Sequence, residues 1–147
     1  MSVCYNVSME SNYYRTKTSV SMIRYHVVFC PKYRRKIFNI PGVEDAFKSI
    51  VAEACKAHDI RILVMECHVD HVHMFISCPP KMSPADAVKI IKGCTSITLR
   101  RQFPELSHMS SLWTRSYFAS TAGDVSTATI EKYIATQKTR PVSKKHK

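Results

Sequence analysis

Asp70-His71-Val72-His73-Met74-Phe75-Ile76, continuing through Ser77 to Cys78, decides the reading of this chain. The run is β-branched and aromatic, and Pro79-Pro80 ends it, so it reads as a strand. Alternation along a strand sends Val72, Met74 and Ile76 to one face and His71 and His73 together to the other. One face therefore belongs to a core. The opposite face presents two imidazoles side by side, a pairing that suits a shared divalent metal as well as ordinary structural roles.

Working outward, Ile60 to Cys67 reads as the strand before it, joined by a short turn around Asp70, so the two predict a hairpin. Upstream, Val43, Ala46, Phe47, Ile50, Val51, Ala54 and Ala57 recur at helical spacing after the Pro41-Gly42 breaker. Before that helix, Ile23 to Cys30 predicts the first strand, stopped by Pro31 and followed by the basic cluster Lys32-Tyr33-Arg34-Arg35-Lys36. Downstream, Ser83-Pro84-Ala85-Asp86 supplies an N-cap, a proline at the first helical position and an acid at the third, predicting a helix from Pro84 to about Phe103. Ser116 to Ser120 predicts a short fourth strand, and Ser126 caps a last helix carrying Ile130, Tyr133, Ile134 and Gln137 on one side. Strand, helix, strand, strand, helix, strand is the split βαβ order. The expected fold class is α+β, a ferredoxin-like βαββαβ antiparallel sheet with helices on one face plus a C-terminal tyrosine-bearing helix.

The chain has 147 residues, 45% of them apolar, which suits one domain with a real core. The expected organisation is a flexible arm over 1–20, a single domain over 21–138 and a basic tail over 139–147. The Thr121-Ala122-Gly123-Asp124 loop is the expected hinge before the last helix. No apolar run approaches the ~20 residues of a membrane-spanning helix, and six cysteines without a C-x-x-C pair fit a reducing compartment, so a soluble cytoplasmic protein is expected. The formal charge is +11, from 22 Lys and Arg against 11 Asp and Glu, and points to a polyanion. Five of the basic residues lie in 138–147, but the body without them is still basic.

Tyr133 and Gln137 stand four apart and so share a helix face. A phenol can attack phosphorus when a cation neutralises the developing charge, and an amide oxygen can join two imidazoles as a third donor. The same residues also serve as packing anchors and solvated helix ends in many proteins. Asp70 is placed either to orient a histidine or to cap its turn.

Asp70-His71-Val72-His73 after a strand, with Tyr133-x-x-x-Gln137 on a terminal helix, resembles the single-tyrosine HUH transposases of the insertion-sequence 200/605 group. The resemblance extends to Tyr25-His26-Val27-Val28-Phe29-Cys30-Pro31-Lys32-Tyr33-Arg34-Arg35, to Lys92-Gly93-Cys94-Thr95-Ser96, to Phe103-Pro104-Glu105-Leu106 and to Leu112-Trp113-Thr114-Arg115-Ser116-Tyr117-Phe118. It spans roughly residues 22–138 in order, and is far more specific than His-x-His alone. It implies a metal-dependent transposase that cleaves and rejoins hairpin-containing single-stranded DNA ends of an insertion sequence through a 5′-phosphotyrosine intermediate. By position, Tyr133 is the nucleophile, and His71, His73 and Gln137 hold Mg2+ or Mn2+. The resemblance further implies a homodimer, with the tyrosine helix docked on its own chain or exchanged with the partner.

DNA contacts are expected from Lys32, Tyr33, Arg34, Arg35, Lys36, Lys89, Lys92, Arg100, Arg101 and Trp113, the cations along phosphates and the aromatics on bases. His68-Val69 departs from the Met-Pro common in the family before Asp-His, which adds His68 as a competing ligand. Two other readings stand beside the transposase. One is a domesticated hairpin-nicking relative; the other is a non-catalytic ferredoxin-like module that binds single-stranded nucleic acid.

Overall fold

The computed structural model describes residues 2–4, 13–121 and 126–139. The strands are β1 (Ser2–Cys4), β2 (Tyr14–Arg15), β3 (Val20–Ser21), β4 (Ile23–Phe29), β5 (Arg61–Cys67), β6 (Val72–Cys78) and β7 (Phe118–Ser120). The helices are α1 (Val43–Ala57), α2 (Pro84–Gln102) and α3 (Thr127–Ala135). The main sheet has the order β1-β5-β6-β4-β7, every pairing antiparallel, and β2 and β3 form a separate hairpin. Within it, β4-α1-β5-β6-α2-β7 is the ferredoxin-like βαββαβ unit expected from the sequence.

Local chemistry explains the element ends. Gly42 takes φ +87°, a left-handed conformation that glycine adopts without a Cβ penalty, and Glu44 and Asp45 follow in the first turn of α1. Ser83 and Asp86 form a reciprocal capping box at the start of α2, with Pro84 beside them. In the sheet, Val27, Phe29, Val72, Met74 and Ile76 are fully buried against Phe47 and Val51 of α1 and Ile91 and Leu99 of α2. The opposite faces of β4 and β6 carry His26, Val28, His73 and Phe75. On that side a second apolar cluster joins Val28 and Cys30 to Ile134 of α3, with Phe118, Ile130 and Tyr133 packed around it. Thus α1 and α2 cover one face, and α3 docks on the other.

The amino-terminal region differs from the expected flexible arm. Ser2–Cys4 pairs with β5 along its outer edge, from Ser2 opposite Glu66 to Cys4 opposite Val64. Tyr14 is buried, with its hydroxyl 2.8 Å from the Asp59 carbonyl oxygen and 2.7 Å from that of Ser77, and its ring lies 4.1 Å from the Arg61 guanidinium carbon. Strands of two or three residues are too short to show a period, which is why the segment reads as featureless. The fourth core strand begins at Phe118 rather than Ser116, because Lys92 draws the carbonyls of Thr114 and Ser116 toward α2. The Gly123 hinge and nearly all of the 139–147 tail lie outside the described residues. Among the described residues, no helix is long and apolar enough to cross a membrane.

Candidate active site

The histidine strand is held at the centre of the sheet. His73 pairs in register with Val28 on one side and Glu66 on the other, so its position follows from two ladders. Its Nε2 lies 3.2 Å from Nδ1 of His26, the rings stack, and its Nδ1 lies 3.6 Å from Glu66 Oε2. Glu66 Oε2 is also 3.3 Å from His68 Nε2. His68 stacks on His71 with centroids 4.3 Å apart. Burial lowers the pKa of both His71 and His73 below the ordinary imidazole value, although Asp70 pulls His71 the other way and Glu66 does so for His73. Neutral imidazole is the ligand form.

Asp70 both orients and bridges. Its Oδ1 is 3.0 Å from His71 Nδ1, which leaves Nε2 as the nitrogen away from the carboxylate, and its Oδ2 accepts from Arg34 Nη2 at 2.8 Å and Nε at 3.2 Å. Burial raises the carboxyl pKa, but the bonds to His71 and Arg34 outweigh it and hold the group below its usual range. Arg34 sits in a turn where it and Tyr33 have φ of 53° and 61°, so two consecutive side-chain-bearing residues are left-handed. Such conformations cost of order 1–3 kcal/mol each, and here the Asp70 pair and the fold around the turn hold them.

The tyrosine helix lies one strand away. Ile134 is 6% exposed against Val28 and Cys30, and Val28 is the register partner of His73. Tyr133 is half-buried beside Phe118, and its hydroxyl lies 3.2 Å from Ser116 Oγ. Ser116 also donates to Gln137 Oε1 at 2.7 Å. Burial raises the Tyr133 pKa, the Ser116 bond lowers it and nearby Cys30 adds a smaller upward push. In this arrangement Tyr133 and Gln137 meet at Ser116, and His71 and His73 meet with Asp70, Glu66 and His26. Both imidazoles are held in the neutral form that a divalent cation binds, but His73 Nε2 faces His26 and Gln137 Oε1 accepts from Ser116, so two of the three expected donors are engaged within the chain. Among the described residues, no three His, Cys, Asp or Glu side chains cluster as a metal site.

The expected DNA contacts separate into two groups. Lys32 and Tyr33 line a groove of about 840 Å³ with Arg115, Ser116, Gln137 and Lys138, so this basic groove opens beside the tyrosine. Arg35 lies over the Tyr33 ring and contacts His108, and Lys36 and Lys89 are exposed, as is Arg101. Four others are spent inside the domain. Trp113 is only 4% exposed, donates from Nε1 to Thr95 and packs on Phe29 and Phe47, so its indole face is core and not a base platform. Lys92 donates to the carbonyls of Thr114 and Ser116, and Arg100 to those of Ser96, Met109 and Ser110. Arg34 is committed to Asp70. Sequence reading missed His26, Glu66 and Ser116; alternation on β4 places His26 on the histidine face, whereas Ser116 lies in irregular chain with no pattern to mark it.

Comparison with known proteins matches residues 19–137 to the family described as Transposase IS200 like. The transposase for insertion sequence element IS200 of Salmonella typhimurium is 39% identical over 117 residues, covering 78% of this chain and 76% of the relative. A transposase crystal structure from Deinococcus radiodurans R1 superposes with a TM-score of 0.78 and 26% identity, covering 86% of this chain and 99% of that one. A REP-associated tyrosine transposase bound to a REP hairpin shares the fold at a TM-score of 0.51 and 9% identity, over 82% of this chain and 65% of that one. A match over most of the length, carried by the same strands and terminal helix that build the site, places the chain in the IS200-like transposase family, enzymes that act on DNA.

Proposed function

We propose that this transposase cleaves and rejoins hairpin-bearing single-stranded DNA with Tyr133 as nucleophile and a divalent cation, Mg2+ or Mn2+, held by His71, His73 and Gln137. The observation that carries the reading is the docking of α3 on Val28, the in-register neighbour of His73, which brings the tyrosine helix onto the histidine face of the sheet. The reaction is a transesterification. The Tyr133 oxygen forms a bond to phosphorus, the bond from phosphorus to the 3′ oxygen breaks, and the phenolic proton ends on that oxygen, leaving a 5′-phosphotyrosine and a 3′-OH. A 3′-OH from another strand reverses the step with no external energy source. The cation would polarise the scissile phosphate and offset charge on its oxygens. His71 is kept neutral by burial and aimed by Asp70, and Gln137 would offer the lone pair of Oε1 that Ser116 does not use.

The substrate class follows from charge and from the groove beside Tyr133, whose Lys32, Arg115 and Lys138 suit phosphates. A fold neighbour holds a hairpin, which supports a hairpin-bearing strand as the ligand. A homodimer is part of the same reading. The test is incubation of the protein with labelled single-stranded hairpin DNA carrying candidate element ends, with Mn2+ or with chelator, followed by a denaturing gel. A metal-dependent adduct that Tyr133→Phe abolishes, with hairpin binding retained, is the expected result. Tight hairpin binding without any adduct on a verified cognate end overturns the catalytic reading in favour of a binding module.

A further inference from the structure

We infer that Ser116 is a positioning residue, the tie that sets the Tyr133 hydroxyl and the Gln137 carbonyl relative to each other and to the sheet; this rests on the reading of Tyr133 as nucleophile. The geometry is specific. Ser116 Oγ has one hydrogen, and it goes to Gln137 Oε1 at 2.7 Å, because a carbonyl oxygen only accepts. Its lone pairs then face the Tyr133 hydroxyl at 3.2 Å and Thr114 Oγ1 at 3.3 Å, so a chain runs from Tyr133 through Ser116 to Gln137. The one hydroxyl thus joins Tyr133 of α3 to Gln137, two residues past the end of that helix.

The helix needs such a tie. α3 has nine residues, a length at which a helix is marginal by itself, and its docking rests on the buried Ile134 with the partly buried Ile130 and Tyr133 beside it. Apolar packing fixes the distance of α3 from the sheet but leaves its rotation and the χ angles of Tyr133 loosely set, whereas a directional bond restricts both. Ser116 is itself anchored, since Lys92 donates to its carbonyl at 2.8 Å and to that of Thr114 at 2.7 Å.

The test compares Ser116→Ala with Ser116→Thr in the full chain, using two readouts. The first is the 13Cζ resonance of Tyr133 in tyrosine-labelled protein without DNA or metal, assigned by its loss in Tyr133→Phe. The second is the single-turnover rate of adduct formation on hairpin DNA with Mn2+. In Ser116→Ala the resonance shifts and the single-turnover rate at saturating hairpin DNA falls about tenfold, the size expected for one lost hydrogen bond at a reacting group. Ser116→Thr, which keeps the hydroxyl, recovers both. A resonance that stays in place, a rate that stays at the parental level, or equal slowing by both variants overturns the assignment. If the parental protein forms no adduct, the catalytic reading fails by itself, and the resonance still decides whether Ser116 holds Tyr133.

Discussion

The histidine half and the tyrosine half of the site are built in different ways. Every residue of β6 is paired, with β4 from Val72 opposite Phe29 to Cys78 opposite Ile23, and with β5 on its other side. His73 cannot move without moving the sheet. The tyrosine half is nine residues of helix, seated through Ile134 and tied through Ser116. One half is thus part of the fold and the other is docked on it, so damage to each should leave a different signature.

The largest effect is expected from His71→Ala together with His73→Ala. Adduct formation should fall by about three orders of magnitude or more, since a metal Lewis acid supplies several kcal/mol. Calorimetric titration with Mn2+ should lose its binding signal, while the thermal midpoint shifts only slightly, because both side chains sit on the open face and not among the core residues. Unchanged Mn2+ binding in this variant would remove the pair from the chemistry.

Ile134→Ala attacks the other half. Truncating a buried isoleucine costs about 2–4 kcal/mol, and here the cost falls on docking rather than on the core. Amide exchange in α3 should speed up to near the unprotected rate while β4 and β6 stay protected, and adduct formation should fall by one to two orders of magnitude, roughly the docking penalty less what bound DNA restores. Global unfolding at a lower temperature, with α3 and sheet exchanging together, would make the two halves a single cooperative unit and erase the distinction drawn above.

Arg34→Ala tests how far the histidine half depends on its outer partners. It frees Asp70 from its bidentate partner, and loss of a group that orients a metal ligand typically costs ten- to a hundredfold in affinity or activity. Mn2+ affinity should weaken toward the lower end of that range, since Asp70 still holds His71 at 3.0 Å. Affinity equal to that of the parent would show that the His71–Asp70 contact is self-sufficient.

How much of this was legible in the chain follows the same division. β4, β5, β6, α1 and α2 were readable because their apolar residues repeat at two or at 3.6 and their ends carry explicit signals, such as Pro79-Pro80 and the Ser83–Asp86 box. The placement of His71 and His73 on one face came from alternation alone. Ser2–Cys4 and the Tyr14 hairpin were not legible, since two or three residues carry no period and Tyr14 is fixed by hydrogen bonds to carbonyls 45 and 63 positions away. Trp113 and Lys92 read as DNA contacts because residue type speaks to chemistry and not to depth; only tertiary packing turns one into core and the other into a clip. Ser116 belongs to the same class, a common residue in irregular chain whose importance rests on what happens to lie opposite.

The smallest effect, and the one that links the halves through their shared loop, concerns Lys92. Its ammonium is half-buried with two carbonyls as acceptors, and burial lowers its pKa to about 8 from an ordinary 10.5, offset slightly by Cys30. Between those two values the unfolded chain binds more protons than the folded one, so this group makes stability rise with pH through the window, and the contribution is lost as pH falls through about 8. Lys92→Met has no proton to gain. The thermal midpoint of the parent relative to Lys92→Met should therefore improve between pH 7 and pH 10, while adduct formation at pH 7 slows about threefold, as two carbonyls lose a donor and the Ser116 segment loosens. A flat difference in midpoint over that range would mean that the ammonium is as well hydrated in the folded chain as in the unfolded one. Lys92 would then have to be counted with the basic groove and not with the brace that holds the tyrosine half in place.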